Sequence, residues 1–274
     1  MPFASIYLLI ASIILIVIMI RSIDLGKAII NYIIFKPPPV YFELFPWRLS
    51  KNSIDYLIKN DAYYRNLSPR LRRSFNSRIK KFIANKRFVS RGNFKLNKEI
   101  ILVIASAAVK ISFGLREYKF PLFHTIIIYS DEFYSNASRM MVKGETNATG
   151  VVVFSWKDFK QGNSDPFDSI NLGYHEFAHA LFLTNLMSPY ENDFKEHYRE
   201  WLMYVKYNSK LKEATQKHIF REYAAANEME FFAVAVENFF EKPKEFKQGL
   251  PKLYELMSKV LNQDTLRPEK LSLL

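Results

Sequence analysis

An α+β domain behind a single membrane-spanning helix is the fold the sequence predicts, on three observations. Residues 3–20 carry no charge. Two β-rich runs, "TIIIYS" at 125–130 and "GVVVFSW" at 150–156, are bounded by turn residues. From about residue 168 onward apolar residues recur at helical spacing, and His175 and His179 lie one helical turn apart in that region. Strands followed by helices read as α+β layers. A chain of 274 residues, 49% of them hydrophobic, can bury a core and is too apolar to be disordered. It has no cysteine, which excludes disulfides, thiolate metal sites and a thiol nucleophile. The formal charge of +12 points toward anionic partners without saying anything about fold.

The first element is "FASIYLLIASIILIVIMI", residues 3–20. As a helix rising ~1.5 Å per residue it reaches ~27 Å, about the hydrocarbon thickness of a bilayer. It lacks the polar face that a helix of a soluble core shows. Nothing basic precedes it and "IMIRSID" follows it, so it reads as a retained anchor and not a cleaved leader. Arg21, Lys27, Lys36, Arg48 and Lys51 all follow the run, which predicts a body on the cytoplasmic side. "AIINYIIF" at 28–35 is too short to span and is expected along the interface; "KPPP" at 36–39 then ends any helix.

In the body, "SPRLRRSFNSRIKKFIANKRF" reads as a helix with Ser68 as N-cap and Pro69 in its first turn. Leu71, Phe75, Ile79 and Phe82 form its apolar stripe. Between Ala62 and Lys98 there are twelve Lys/Arg and no acid. Near a membrane such a surface attracts anionic lipid. No nucleic-acid-binding motif accompanies it, so lipid or a protein partner is expected and nucleic acid is not. Residues 99–115 read as a buried helix ended near Gly114. The strand at 150–156 is expected to offer a free edge to an extended peptide. Near the C-terminus, Leu253, Leu256, Met257 and Val260 share one helix face.

The chemistry concentrates in "NLGYHEFAHALFL", residues 171–183. On a helix, His175 and His179 offer two imidazoles to one ion, and Glu176 reaches a water on that ion without ligating it. This H-E-x-x-H spacing is the one zinc peptidases use. A catalytic zinc needs a third protein ligand and an open position. His197 and His218 are candidates, but each sits in a charged stretch. Residues 221–243 offer Glu222, Glu228, Glu230 and Glu237. Glu230 is embedded among apolar neighbours and so needs a partner; Glu237, on the same face, suits a group that orients a ligand. Glu222 and Glu228 are expected to face solvent.

"HEFAHALF", "REYAAANEMEFFAVAVENFF", "LPKLYELMSKVLNQD" and "GVVVFSWKDF" together resemble the Mlc titration factor A family of zinc-dependent peptidases, over roughly residues 60–265. The resemblance implies a zincin-like α+β fold related to the catalytic domain of anthrax lethal factor, Zn2+ as cofactor, and a peptide or protein substrate. By resemblance His175, His179 and Glu230 carry over as zinc ligands, Glu176 as the catalytic glutamate, and Tyr223 as a tyrosine that assists the reaction. The family usually has Lys-Leu-Asp after the second histidine; here Ala180, Leu181 and Phe182 follow, a change expected at the cleft rim. The soluble members' partner, the glucose-responsive repressor Mlc, makes a regulatory protein a further expected partner. The expected organisation is a transmembrane anchor over 1–22, a juxtamembrane segment and linker over 23–60, a zincin-like peptidase domain over 61–268 and a tail over 269–274. The function this predicts is a membrane-anchored zinc metallopeptidase. The alternative is a membrane-tethered binding module that sequesters a regulator, with zinc structural and His218 as a fourth ligand.

Overall fold

Polar side chains cap most of the described helices at their start, and apolar stripes set where they pack. The computed structural model describes residues 45–164, 169–208 and 227–267, together with 12, 14–19, 21, 22, 40 and 41. The chain divides into two compact units, Met1–Phe42 and Glu43–Leu274. In the first, residues 14–19 are helical and their apolar side chains are 51–72% exposed. Among the described residues no helix is long and apolar enough to cross a membrane. The rest of the expected anchor, and the segments 28–35 and 36–39, lie outside the described residues.

The second unit opens with helices α1 (Lys51–Asn60) and α2 (Ala62–Asn66), so part of the stretch read as linker is helical. Ser50 and Asp61 cap them by accepting from Ser53 N and Tyr64 N. Helix α3 (Pro69–Asn85) starts as the sequence predicts, with Ser68 accepting from Leu71 N. Its stripe of Leu71, Phe75, Ile79 and Phe82 is buried. Strand β1 (Arg87–Ser90) follows, so short that its arginine and serine hide any strand signal. Helix α4 (Lys98–Ser112), capped by Asn97, carries the chain across to β2 (Thr125–Tyr129). A crossover of this kind is what two parallel neighbours require, and β1 and β2 are parallel.

After β2 come a small hairpin, β3 (Phe133–Ser135) and β4 (Met140–Val142), then β5 (Gly144–Asn147) and β6 (Val151–Ser155). The main sheet has the order β1-β2-β6-β5. Its first three strands are parallel, and β5 runs antiparallel to β6 with Gly144 opposite Phe154. The expected free edge on the 150–156 strand is therefore corrected: β6 is flanked on both sides, and β5 stands at the sheet's end. β5 escapes a sequence reading because "GETN" has no apolar alternation. In β2 the alternation is clean: Ile126 and Ile128 are buried, whereas Ile127 and Tyr129 are half-buried.

The remaining described helices are α5 (Trp156–Ser164), α6 (Leu172–Met187), α7 (Asp193–Tyr207), α8 (Glu228–Glu241), α9 (Pro243–Gly249) and α10 (Pro251–Leu261). On α10 the predicted face of Leu253, Leu256, Met257 and Val260 is buried. Helix α6 is central. Its Phe177 ring meets Phe82, Phe120 and Phe154 at centroid distances of 6.0, 5.7 and 5.3 Å. Such aromatic pairs contribute about 0.5–1.5 kcal/mol each beyond area burial. Phe177 projects roughly opposite to residues two positions before and after it. Anchoring that ring therefore turns His175 and His179 away from the aromatic core.

The chain end is joined to the middle of the sequence at Gly114. A Cβ there would collide with the carbonyl oxygens of both Leu261 and Asn262. Asn262 Nδ2 also donates to Gly114 O at 2.9 Å. Backbone atoms cannot swing aside, so Gly114→Ala should destabilise the fold by about 1–3 kcal/mol, as overpacking does. Chemical denaturation of the two proteins measures it; equal midpoints would contradict the close approach.

Candidate metal centre

Helix α6 begins where Asn171 stops the preceding chain and caps it, accepting from Tyr174 N at 3.0 Å. Two carboxylates of α8 hold this N-terminus. Asn171 N–H donates to Glu237 Oε2 at 2.7 Å, and Asn171 Nδ2 donates to Glu241 Oε1 at 2.8 Å. Negative charge is favoured beside the unsatisfied N–H groups and positive dipole end of a helix. The other oxygen of Glu237, Oε1, lies 2.8 Å from His175 Nδ1. Glu237 is 1% exposed, so it acts without competition from water. One buried carboxylate thus sets both the start of α6 and the orientation of its first histidine.

The helix then brings the two imidazoles together. His175 Nε2 and His179 Nε2 are 3.0 Å apart, with ring planes at 86°. Glu230 comes from the first turn of α8, where Asn227 caps the helix by accepting from Glu230 N at 2.9 Å. Its Oε2 lies 3.2 Å from His175 Nε2 and its Oε1 3.3 Å from His179 Nε2. The ligand atoms of His175, His179 and Glu230 all fall within 4.8 Å of one another, and among the described residues this is the one such grouping. Glu230 Oε2 is buried and finds no well-directed hydrogen bond among the described residues. Two ring nitrogens and an under-satisfied carboxylate converging on one point are a donor set that suits a divalent cation.

Electrostatics of the metal-free cluster agree. Burial opposes charge on His175, yet the carboxylates of Glu230 and Glu237 beside its ring hold its pKa up at about 10. Burial likewise opposes ionisation of Glu230, but the imidazoles of His175 and His179 close to its oxygens outweigh it and hold that carboxyl far below its ordinary range. Burial pushes the Glu176 carboxyl up, and His179, His175 and Thr146 offset this only in part.

Glu176 is held by two residues that sequence reasoning missed. Thr146 Oγ1 on β5 is 2.8 Å from Glu176 Oε2 and 2.9 Å from the Glu176 carbonyl oxygen. Gly144, at the other end of β5, leaves no room for a side chain: a Cβ would stand 2.5 Å from Glu176 Oε1. The signal that could have found them is the glycine and threonine two apart, since alternate strand residues share a face. A cleft of about 480 Å³ opens beside His175 and Glu176, walled by Met140, Val142, Ile170 and Leu172.

Other candidates lie elsewhere. Glu228 is solvent-facing and pairs with Lys206 at 2.6 Å. His197 lies on α7 and does not join the cluster. Tyr223, His218 and Glu222 lie outside the described residues. Ala180, Leu181 and Phe182 are buried, so the departure after His179 is absorbed by packing and not at the cleft rim; Phe182 meets Tyr198 and Phe232 at 5.4 and 6.1 Å.

Residues 46–261 match the family described as glucose-regulated metallo-peptidase M90. The chain belongs to this family. As an M90 metallo-peptidase family member it is 26% identical over 222 residues to an uncharacterized protein of Synechocystis sp., covering 72% of this chain and 78% of that one. It is also 26% identical over 221 residues to Mlc titration factor A of Escherichia coli, covering 68% of this chain and 77% of that protein, and equally to the Mlc titration factor A of Shigella flexneri. Membership of an M90 metallo-peptidase family implies a metal, usually zinc, and His175, His179 and Glu230 form a site able to hold one.

The raised pKa of His175 has a direct consequence. Relative to its ordinary value of 6.5, a folded pKa of about 10 means the retained proton stabilises the metal-free protein fully below pH 6.5, and that stabilisation is lost as pH rises through about 10. A cation needs the same lone pair, so it must displace that proton. Binding of Zn2+ near neutrality should release about one proton per ion from this site, and affinity should rise as pH rises. Calorimetric titrations in buffers of different ionisation heat check this; a heat independent of the buffer would contradict the charged His175.

Proposed function

We propose that this chain is a zinc-dependent peptidase of zincin-like fold that hydrolyses peptide bonds, anchored in a membrane by residues 1–22 with its catalytic unit facing the cytoplasm. The observation that carries the reading is the convergence of His175, His179 and Glu230 on one point, with Glu176 fixed beside them at the mouth of a cleft. Three protein groups leave room for substrate, which favours a catalytic over a structural site.

When bound, the ion would supply Lewis acidity, which polarises a carbonyl and makes water acidic near neutrality. His175 offers Nε2 because Glu237 accepts from Nδ1 and so fixes the ring's tautomer and direction. Glu176 accepts the proton of the attacking water and then delivers it to the leaving amine. Its raised pKa suits a group that must both take and return a proton. Thr146 keeps its carboxylate from rotating away. Tyr223, by the family resemblance, donates a hydrogen bond to the developing oxyanion. Strand β5 stands at the end of the main sheet and is the natural place for an extended substrate backbone to pair. The printed name of the Escherichia coli relative, a titration factor for Mlc, supports a regulatory role with a protein partner here.

Three substitutions separate the roles. Glu176→Gln keeps the shape and removes the basicity; zinc should remain bound while peptide hydrolysis falls by about 10²–10⁴-fold. Glu230→Gln removes a charged ligand and should weaken zinc binding and activity together. Gly144→Ala must push Glu176 aside, and should lower turnover by up to ~10²-fold with zinc affinity kept, the effect of a displaced reacting group. Full hydrolysis by Glu176→Gln would sink the peptidase reading in favour of a membrane-tethered binding module with structural zinc. For topology, protease added outside intact cells should leave residues 43–274 uncut; digestion of that region from outside would reverse the assignment.

A further inference from the structure

Buried Arg78 on α3 serves the fold by donating to Phe113 O and Leu115 O, but three other charges of that helix do not. Arg70, Arg73 and Lys80 are exposed, and none is held by an ion pair among the described residues. Taken at 100° per residue they fall, with Ser77, within one flank of the helix. Ser77 is also where an outlying piece of chain is fastened: Trp47 N–H donates to Ser77 Oγ at 2.8 Å. That piece reads Phe45-Pro46-Trp47-Arg48, and it leaves Phe45 79% and Trp47 45% exposed. Two aromatic rings in water, tied to a helix flank of unpaired cations and accompanied by a further arginine, need explaining. Exposed rings grouped with one another mark an interaction surface more than rings scattered singly do.

Aromatic rings with a polar edge settle at the boundary between headgroups and hydrocarbon, and lysine and arginine are drawn to anionic headgroups. A nucleic acid would take the charges but gives no reason for Phe45, the most exposed ring in the segment. A protein groove would take the rings but would have to be acidic as well. An anionic bilayer offers both features over a broad area, and it lies on the cytoplasmic side where basic residues accumulate.

We propose that the face formed by Phe45, Trp47, Arg48 and the Arg70–Arg73–Lys80 flank of α3 is a docking surface for anionic phospholipid, which lays the folded unit against the membrane. The contact is independent of the catalytic reading, and it is separate from the apolar run at residues 3–20. It would fix which way the cleft faces, so that peptide near the bilayer surface reaches the site from a defined direction.

The test uses the full chain bound to vesicles of neutral phosphatidylcholine, or of the same lipid with phosphatidylglycerol, each carrying brominated acyl chains. The chain has three tryptophans, so the difference in fluorescence quenching between the parent and Trp47→Phe isolates that ring. Among vesicle-bound protein, Trp47 should be quenched on the anionic vesicles and much less on the neutral ones. The triple variant Arg70→Glu, Arg73→Glu, Lys80→Glu should lose that quenching, with a shift of roughly fivefold per residue in the lipid needed for half effect. A control variant, Lys160→Glu with Lys244→Glu, should leave it unchanged. Equal quenching on both vesicles, no quenching on either, loss in the control variant, or retention in the triple variant would each overturn the proposal. A chain that docks only when nucleic acid or a protein partner is added would do so as well.

Discussion

Glu237 is the residue on which the site depends. A single carboxylate, almost wholly removed from water, receives Asn171 N–H with one oxygen and faces His175 Nδ1 with the other. Alone in an apolar core such a charge would cost several kcal/mol. Here the N-terminus of α6 and an imidazole satisfy it, and in return it locks two helices in register. The cap of α6, the direction of His175 and the depth of α8 against α6 are therefore one interaction. Shift α8 by a turn and Glu230 leaves the two histidines; remove the carboxylate and His175 loses the partner that turns Nε2 toward the cluster.

The rest of the architecture holds that interaction in place from two sides. Behind α6, Phe177 sits among Phe82, Phe120 and Phe154, a rigid aromatic floor that prevents the helix from rolling. In front of it, β5 reaches over Glu176 with a glycine and a threonine, the two residue types that permit contact at that range and still offer a hydrogen bond. The polar cluster is concentrated where α6, α8 and the end of the sheet meet. Burial beside apolar walls strengthens each hydrogen bond and keeps the pKa values of His175, Glu176 and Glu230 away from their ordinary positions.

Much of this was legible in the sequence, for identifiable reasons. Helix α3 could be read from Ser68, Pro69 and a repeating apolar stripe, and α10 from its apolar face, because both patterns are local. The strands at 125–130 and 150–156 could be read because three consecutive β-branched residues have few other uses. Glu230 and Glu237 could be singled out because carboxylates among phenylalanines and valines need partners. What stayed hidden depends on contacts far apart in the chain. β1 and β5 are short and polar, and become strands only because β2 and β6 offer them an edge. The spacing of Gly144 and Thr146 takes on its meaning only once β5 is laid over Glu176. The caps at Asn171 and Asn227 are common residues whose meaning comes from the helix that follows. The chemistry was written in two segments, one with His175, Glu176 and His179 and one with Glu230 and Glu237, whereas the geometry that aims it also needs β5.

The most direct test of the account is the zinc absorption-edge spectrum of the loaded full-length protein, compared with that of Glu237→Gln. The bound zinc should show two imidazoles with Zn–N at ~2.0–2.1 Å and oxygen ligands at ~2.0–2.2 Å, with no sulfur because the chain has no cysteine. In Glu237→Gln the same ligand types should persist while the imidazole scattering becomes weaker or more disordered, because His175 is no longer held. A shell with fewer than two imidazoles in the parent, or an imidazole signal indifferent to Glu237, would contradict the claim that this buried carboxylate aims the metal site.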